Sequence, residues 1–360
     1  MTVTREDVLK ALETVVDPAS GRNVVAAGMI GGLVLKGRNV GFALEVAPER
    51  GRQAEPLRKA CEAAVAALPG VASVSAVLTA HQQTPPPRAA AAQPAAGIPG
   101  VEAIIAVASG KGGVGKSTVA VNLAIGLAKL GLRTGLLDAD IYGPSVPRLL
   151  GIAHKPEQGA GGKLKPIEKF GLKTMSIGYL VDVETPMIWR GPMVQSALTQ
   201  MMNDVLWAPL DVLVVDMPPG TGDAQLTMAQ RVPLRGAVIV STPQDLALID
   251  ARKAIAMFEK TKIPILGLVE NMSVFVCPHC GGQSHIFGEG GARRMAETLD
   301  MPFLGEIALV GTIRALSDAG TPVAAHDAAS LESRAYLEIA QKVAVQLRTA
   351  LPAAPRIVLE

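Results

Sequence analysis

GKGGVGKST, residues 110–118, sets the architecture of everything around it. Gly110, Gly115, Lys116 and Ser117 meet the spacing G-x-x-x-x-G-K-[ST] of a phosphate-binding loop. The glycines, Gly112 and Gly113 among them, let successive backbone N–H groups turn inward on phosphate. The helix that follows offers its positive N-terminus to the same anion. Lys116 is placed to reach the β- and γ-phosphates, and the Ser117 hydroxyl to sit on Mg²⁺. Val114 and Thr118 complete the candidate nucleotide-contacting loop. Lys111 is a second lysine inside it, which ordinary phosphate loops do not need.

The flanks supply the context that such a loop requires. Residues 102–108 are a short apolar run that reads as a buried strand, and residues 119–130 have helical periodicity that stops at Gly131. A glycine-rich run alone is commonly a turn. Strand, full motif and helix together make a nucleoside triphosphate site. Further strands are expected at residues 133–138, 211–216, 236–242 and 263–271, alternating with helical segments. That alternation predicts a doubly wound, mostly parallel α/β sheet, with ligands outside the carboxyl ends of its strands.

Polar residues stand at those ends. Asp216 closes an apolar strand in the Walker-B manner, an acid placed to hold a water of Mg²⁺. Asp140 is a candidate to orient or deprotonate the attacking water, and Asp138 for the outer shell of the metal. Either aspartate would also serve to cap the turn at Gly143-Pro144. Asn271 is placed to read an adenine edge or to form a turn. The candidate catalytic set is Lys111, Lys116, Asp140 and Asp216.

Ahead of the loop the composition changes. Residues 83–100 are rich in Pro and Ala with almost no charge, the mark of a semi-rigid linker. It divides residues 1–82, read as a small α+β domain, from a nucleotide-binding domain over 101–352 and a tail over 353–360. Helices are expected at residues 5–15 and 53–68, and strands at 31–36, 40–46 and 71–78, with no catalytic cluster of titratable groups.

Among 360 residues, 34 basic against 32 acidic side chains give a net charge of +2, and aromatics make up 3 %. Neither a basic tract nor a base-stacking surface is visible, so nucleic acid is not an expected partner. No apolar run reaches about 18 residues, and MTVTREDVLKAL lacks a signal pattern, so no membrane association is expected. Three cysteines are too few for a disulfide scaffold, which points to the reducing cytoplasm.

The second chemical signal is Cys277-Pro-His-Cys280. Two thiolates at this spacing can share one metal or cluster, yet tetrahedral zinc and cubane iron–sulfur sites want four ligands. The pair reads as a redox dithiol, as half a zinc site completed by His279 or His285, or as half a site completed by an identical pair across a two-fold axis. On the residues alone, zinc and a shared cluster stand level. Cys61, in a helical segment, reads as a small buried hydrophobe.

With Lys111 in place, GKGGVGKST resembles the deviant Walker-A group that includes MinD, ParA and the nitrogenase iron protein. DADIYGPS at 138–145, DMPPGTGD at 216–223, ENMS at 270–273, CPHC and FGEGG at 287–291 resemble the Mrp/ApbC family of iron–sulfur cluster carrier ATPases. The resemblance spans residues 100–345. It implies a homodimer with ATP at the subunit interface, Lys111 touching the partner's phosphates, and a [4Fe–4S] cluster bridged by Cys277 and Cys280 of each copy. It further implies cluster exchange with assembly scaffolds and apo-proteins, supported by ATP hydrolysis. Slow intrinsic hydrolysis is expected because no arginine finger is evident. Residues 15–30 resemble a MIP18-type domain, but residues 46–51 lack the cysteine of its Thr-x-x-Gly-Cys motif, which favours partner docking over metal binding. A MinD- or ParA-type positioning ATPase is the alternative, against which residues 331–360 offer no basic amphipathic anchor. A cluster-bridged electron-transfer ATPase is the other, though its ligand cysteines lie far apart in sequence.

Overall fold

The computed structural model describes residues 3–36, 38–46, 54–80, 97–181 and 191–349. Most of the expected linker and the whole expected tail therefore lie outside the described residues, as do residues 47–51. The chain divides into two compact units, residues 1–92 and 93–360.

In the first unit, helix α1 (Arg5–Leu12) starts at a capping box. The Thr4 Oγ1 accepts from the Asp7 N–H, and Asp7 Oδ2 accepts from the Thr4 N–H at 3.0 Å. The helix ends at Leu12, earlier than periodicity suggested. Strands β1 (Ile30–Lys36) and β2 (Asn39–Val46) are antiparallel. After helix α2 (Glu55–Ala66), β3 (Ser73–Ala80) joins β2 in parallel. Leu57, Cys61 and Val65 recur every four residues along α2 and are buried, with Val8, Leu12, Phe42 and Leu44 in the same core. Cys61 is the small interior hydrophobe expected.

The second unit is built on β4 (Val101–Ala108), whose last five residues are all buried. A central parallel strand covered on both faces needs such a continuous apolar run. The chain then makes α3 (Lys116–Lys129), β5 (Thr134–Asp138), α4 (Val146–Leu150) and a pair of short strands, β6 (Ile167–Lys169) and β7 (Leu172–Ser176). Next come α5 (Gly191–Asn203), β8 (Leu210–Asp216), α6 (Asp223–Arg231), β9 (Gly236–Ser241) and α7 (Asp245–Lys260). It finishes with β10 (Ile265–Val276), β11 (Gln283–Ser284), α8 (Gly291–Thr298), β12 (Phe303–Leu309), α9 (Gly311–Asp318), α10 (Val323–His326) and α11 (Leu331–Thr349).

The sheet order is β11-β10-β9-β4-β8-β5-β7-β6, with β12 also paired to β10. Every pairing is parallel except β6–β7 and β10–β11. This is the doubly wound sheet that the alternating pattern predicted. Strand β10 overruns its expected end at Asn271 by five residues, because β11 and β12 supply partners there. No helix among the described residues is long and apolar enough to cross a membrane.

Candidate functional site: a phosphate loop and a cysteine hairpin

Strand order brings the polar strand ends together. Val107 of β4 is opposite Asp216 of β8, and Asp216 is opposite Asp138 of β5, so the carboxyl ends of three strands meet along one edge. The loop between β4 and α3 lies over that edge. Its first glycine is dictated by packing: a Cβ on Gly110 would lie 2.0 Å from the backbone carbon of Asp250 in α7. Gly115 has φ +80° at the N-cap of α3, a left-handed conformation that disfavours a side chain. Loop residues 111–113 and 115–118, with Asp140, Ser145 and Pro219, line a cavity of about 290 Å³. A larger cavity of about 830 Å³, bounded by Pro147, Arg148 and Gly320, contains none of the loop. Donor chemistry, not volume, marks the candidate nucleotide site.

Lys116 and Asp216 are buried together. The Lys116 Nζ lies 2.5 Å from Asp216 Oδ1 and donates to the Ser117 Oγ at 3.2 Å. The other Asp216 oxygen, Oδ2, is buried with no hydrogen-bond partner. Burial pushes the Asp216 carboxyl above the usual range, and the Lys116 ammonium and Ser117 hydroxyl oppose that shift. An unsatisfied carboxylate oxygen beside a serine hydroxyl and a phosphate loop fits a hydrated Mg²⁺. Asp140, half-buried on the same cavity, is also pushed upward by burial, against the pull of Lys116.

Asp138 does not line that cavity. Its Oδ1 accepts from the Asp140 N–H at 3.2 Å, and its Oδ2 accepts from the Val146 N–H at 3.1 Å and the Ser176 hydroxyl at 2.9 Å. These bonds hold the backbone of residues 138–146. Burial, then the neighbouring Asp216 charge, raises the Asp138 carboxyl. Asn271 lies against the phosphate loop, where its Nδ2 donates to the Val114 carbonyl at 2.8 Å.

Gln225 was not anticipated. It is buried, and its Nε2 donates to the Pro218 carbonyl at 2.6 Å and the Ser109 carbonyl at 3.4 Å. With the Gly220 N–H to Ser109 carbonyl bond at 3.1 Å, it ties the segment after β8 to the start of the phosphate loop. A buried glutamine two residues into a helix leaves no spacing signature in sequence.

The cysteines occupy the turn of a hairpin between β10 and β11. Phe275 and Val276 pair with Ser284 and Gln283. The Cys277 N–H donates to the Gly282 carbonyl, and the Gly281 N–H to the Cys277 carbonyl, both at 2.9 Å. Both thiols are free, Cys277 half-exposed and Cys280 exposed. The N–H groups of His279 and Cys280, then the Cys280 thiol, draw the Cys277 thiol below its ordinary range. No group of three or more His, Cys, Asp or Glu side chains suited to a metal occurs among the described residues. His285 is turned to the Ser273 carbonyl, with Nδ1 3.2 Å from it, and lies 3.9 Å from Glu289.

A phosphate loop carrying a second lysine, an acid at the end of the adjacent strand and a doubly wound sheet define a deviant Walker-A P-loop NTPase. Within that class, the chain belongs to the NUBPL iron-transfer P-loop NTPase family, whose family model matches residues 100–344. Residues 5–76 match the model of an iron–sulfur cluster assembly protein. A mitochondrial iron–sulfur protein required for NADH dehydrogenase from Arabidopsis thaliana is 57 % identical over 250 residues, 69 % of this chain and 80 % of that protein. The iron–sulfur cluster carrier protein of Escherichia coli K12 is 54 % identical over 252 residues, 70 % of this chain and 68 % of its own. That of Synechocystis is 42 % identical over 347 residues, 95 % and 97 % of the two chains. Among solved structures, a nucleotide-binding protein from Archaeoglobus fulgidus in complex with ADP and cobalt is 43 % identical. It has a TM-score of 0.55 and covers 61 % of this chain and 87 % of that one. The cell division ATPase MinD of Pyrococcus furiosus, at 20 % identity and TM-score 0.52, covers 68 % and 98 % and shares the fold.

Proposed function

We propose that this chain is an iron–sulfur cluster carrier: two copies hold one [4Fe–4S] cluster between them and pass it to apo-proteins, with ATP binding and hydrolysis supporting the handover. The Cys277–Cys280 pair carries this reading, two accessible thiols in one hairpin turn with no third protein ligand among the described residues. A cubane cluster takes four cysteine ligands, so two pairs meet its need and one does not. Thiolates are the binding form, and the backbone N–H groups that favour the Cys277 thiolate reduce the proton cost of loading. The cluster-carrier names of the Escherichia coli and Synechocystis relatives support the same cargo.

The nucleotide half follows from Lys116, Ser117 and Asp216. Bound Mg²⁺ supplies neutralisation of charge on the β- and γ-phosphates. With nucleotide bound, Lys116 would turn from Asp216 to phosphate oxygens, and Asp216 and Ser117 would hold the hydrated metal. Asp140, raised by burial and facing the same cavity, is the group to orient water or take its proton. Lys111 lines the cavity as well and is the residue proposed to reach phosphates held by the second copy.

Anaerobic reconstitution with iron and sulfide, followed by iron, sulfide and zinc quantification, tests the assignment. One [4Fe–4S] cluster per two chains is expected, with the cluster spectrum lost in Cys280→Ala. Wild-type iron and sulfide content in that variant would reject the cysteine pair as the cluster site.

A further inference from the structure

Strand β10 changes partners partway along. Up to Glu270 it lies between β9 and β12, and Glu270 opposite Ser241 is its last pair on the β9 side. Glu270 is wholly buried, and its Oε2 accepts from the Ala292 N–H at 2.6 Å, pinning the strand to the start of α8. Immediately beyond, the ladder to β12 loses register between Asn271 and Phe275, and Met272 takes φ +58°. A methionine at positive φ is uncommon, and backbone strain of this kind gathers at functional segments.

Contacts on the two sides of this kink lead to the two halves of the site. Toward the nucleotide, Asn271 Nδ2 donates to the Val114 carbonyl at 2.8 Å. A Cβ on Gly115 would lie 2.2 Å from that nitrogen and 3.6 Å from the Met272 Cε, so both side chains sit against the phosphate loop. Toward the cysteines, His285 Nδ1 faces the Ser273 carbonyl at 3.2 Å, and the Ser273 hydroxyl donates to the Ile307 carbonyl at 3.3 Å. His285 directly follows β11, the return strand of the cysteine hairpin. Three consecutive residues thus join the phosphate loop to the base of the hairpin.

We propose that residues 271–273 are the mechanical link between nucleotide state and the cysteine pair, with Asn271 a positioning residue for Cys277 and Cys280. This rests on the ATP-coupled carrier reading above and names the path by which coupling travels. A loop that closes on phosphate moves the Val114 carbonyl to which Asn271 is bonded. Beyond Glu270 the kinked segment is paired on the β12 side alone, with no β9 partner, whereas Glu270 ties the strand before it to α8. Coupling of this kind requires that ATP and ADP favour different arrangements of the segment.

The test is thiol alkylation of the full-length, cluster-free chain by iodoacetamide, with Cys277 and Cys280 resolved from buried Cys61 by mass spectrometry. Rates are compared under a non-hydrolysable ATP analogue and under ADP, each with Mg²⁺ and each at the saturation measured for that variant. In the wild type the rates differ by about threefold or more between the two nucleotides, and in Asn271→Ala and His285→Ala the ratio falls to about one. His285 partners Ser273 and Glu289, neither of them in the phosphate loop, so His285→Ala decides the matter if Asn271→Ala fails to fold. A wild-type ratio in either folded variant overturns the link while leaving ATP coupling in place. Equal rates in the wild type overturn the coupled-carrier reading itself, and the link with it.

Discussion

Lys116 is 5 % exposed and Asp216 is wholly buried, so without nucleotide each is the other's main compensation for lost hydration. Removing one partner strands the other. Lys116→Ala should abolish nucleotide use and also lower the free energy of unfolding in urea by about 3–5 kcal/mol. The double variant Lys116→Met/Asp216→Leu should recover most of that loss, since no charge is left buried; equal instability in the single and double variants would refute the pairing argument. Reconstituted iron content should survive in Lys116→Ala, because its thiols lie on a separate hairpin. Asp138 makes a prediction about pH. Its folded-state carboxyl is raised by burial and by Asp216, so the native chain binds more protons than the unfolded one above the ordinary value of 3.8. Its contribution to stability is therefore full below that value and falls as pH rises toward the raised folded-state value. Thermal melts of nucleotide-free protein should show Asp138→Asn flattening the decline between about pH 5 and pH 7. An unchanged slope would count against a titrating Asp138.

At the level of elements, the phosphate loop is constrained from both sides. Gly115→Ala meets two penalties, a left-handed backbone costing roughly 1–2 kcal/mol for a residue with a Cβ and a 2.2 Å approach to Asn271 Nδ2. Gly113 has φ +83° but nothing within 4 Å of its would-be Cβ, so Gly113→Ala meets only the first. Gly115→Ala should accordingly lower both melting temperature and nucleotide affinity more than Gly113→Ala, as calorimetric melts and isothermal titration will read; the reverse order would show that Asn271 does not buttress the loop. The long apolar strands β4, β8 and β9 were legible because burial on both faces demands continuous hydrophobic runs. Strand β7 was not. Its interior residues include Thr174 and Ser176, which are buried because their hydroxyls bond the Ile167 carbonyl and Asp138, a satisfaction that no hydropathy pattern displays. The end of β10 was missed for a related reason. Polar Glu270, Asn271 and Ser273 break the apolar run, while the strand continues on partners supplied by later sequence.

At the scale of the molecule, the described residues form two hydrophobic cores, one around Leu12, Leu44 and Cys61 and one around the large sheet. Units with separate cores unfold separately unless a large interface couples them. Differential scanning calorimetry should resolve two transitions, and only the larger should move upward with Mg²⁺-ATP. A single transition whose calorimetric and van't Hoff enthalpies agree for the full chain would contradict this. The GKGGVGKST loop, the aspartate closing an apolar strand, the paired cysteines and the alternating architecture were visible in residue order, because each is a local pattern of backbone freedom, periodicity or ligand spacing. Juxtaposition was not local. Asp216 meets Lys116 across 100 residues, Asn271 meets Val114 across 157, and Asp138 meets Ser176 across 38. Those distances close only when parallel strands far apart in the chain settle into register and pack. Packing therefore placed Asp138 in the support of its own segment, and Asn271 between a nucleotide loop and a cysteine hairpin.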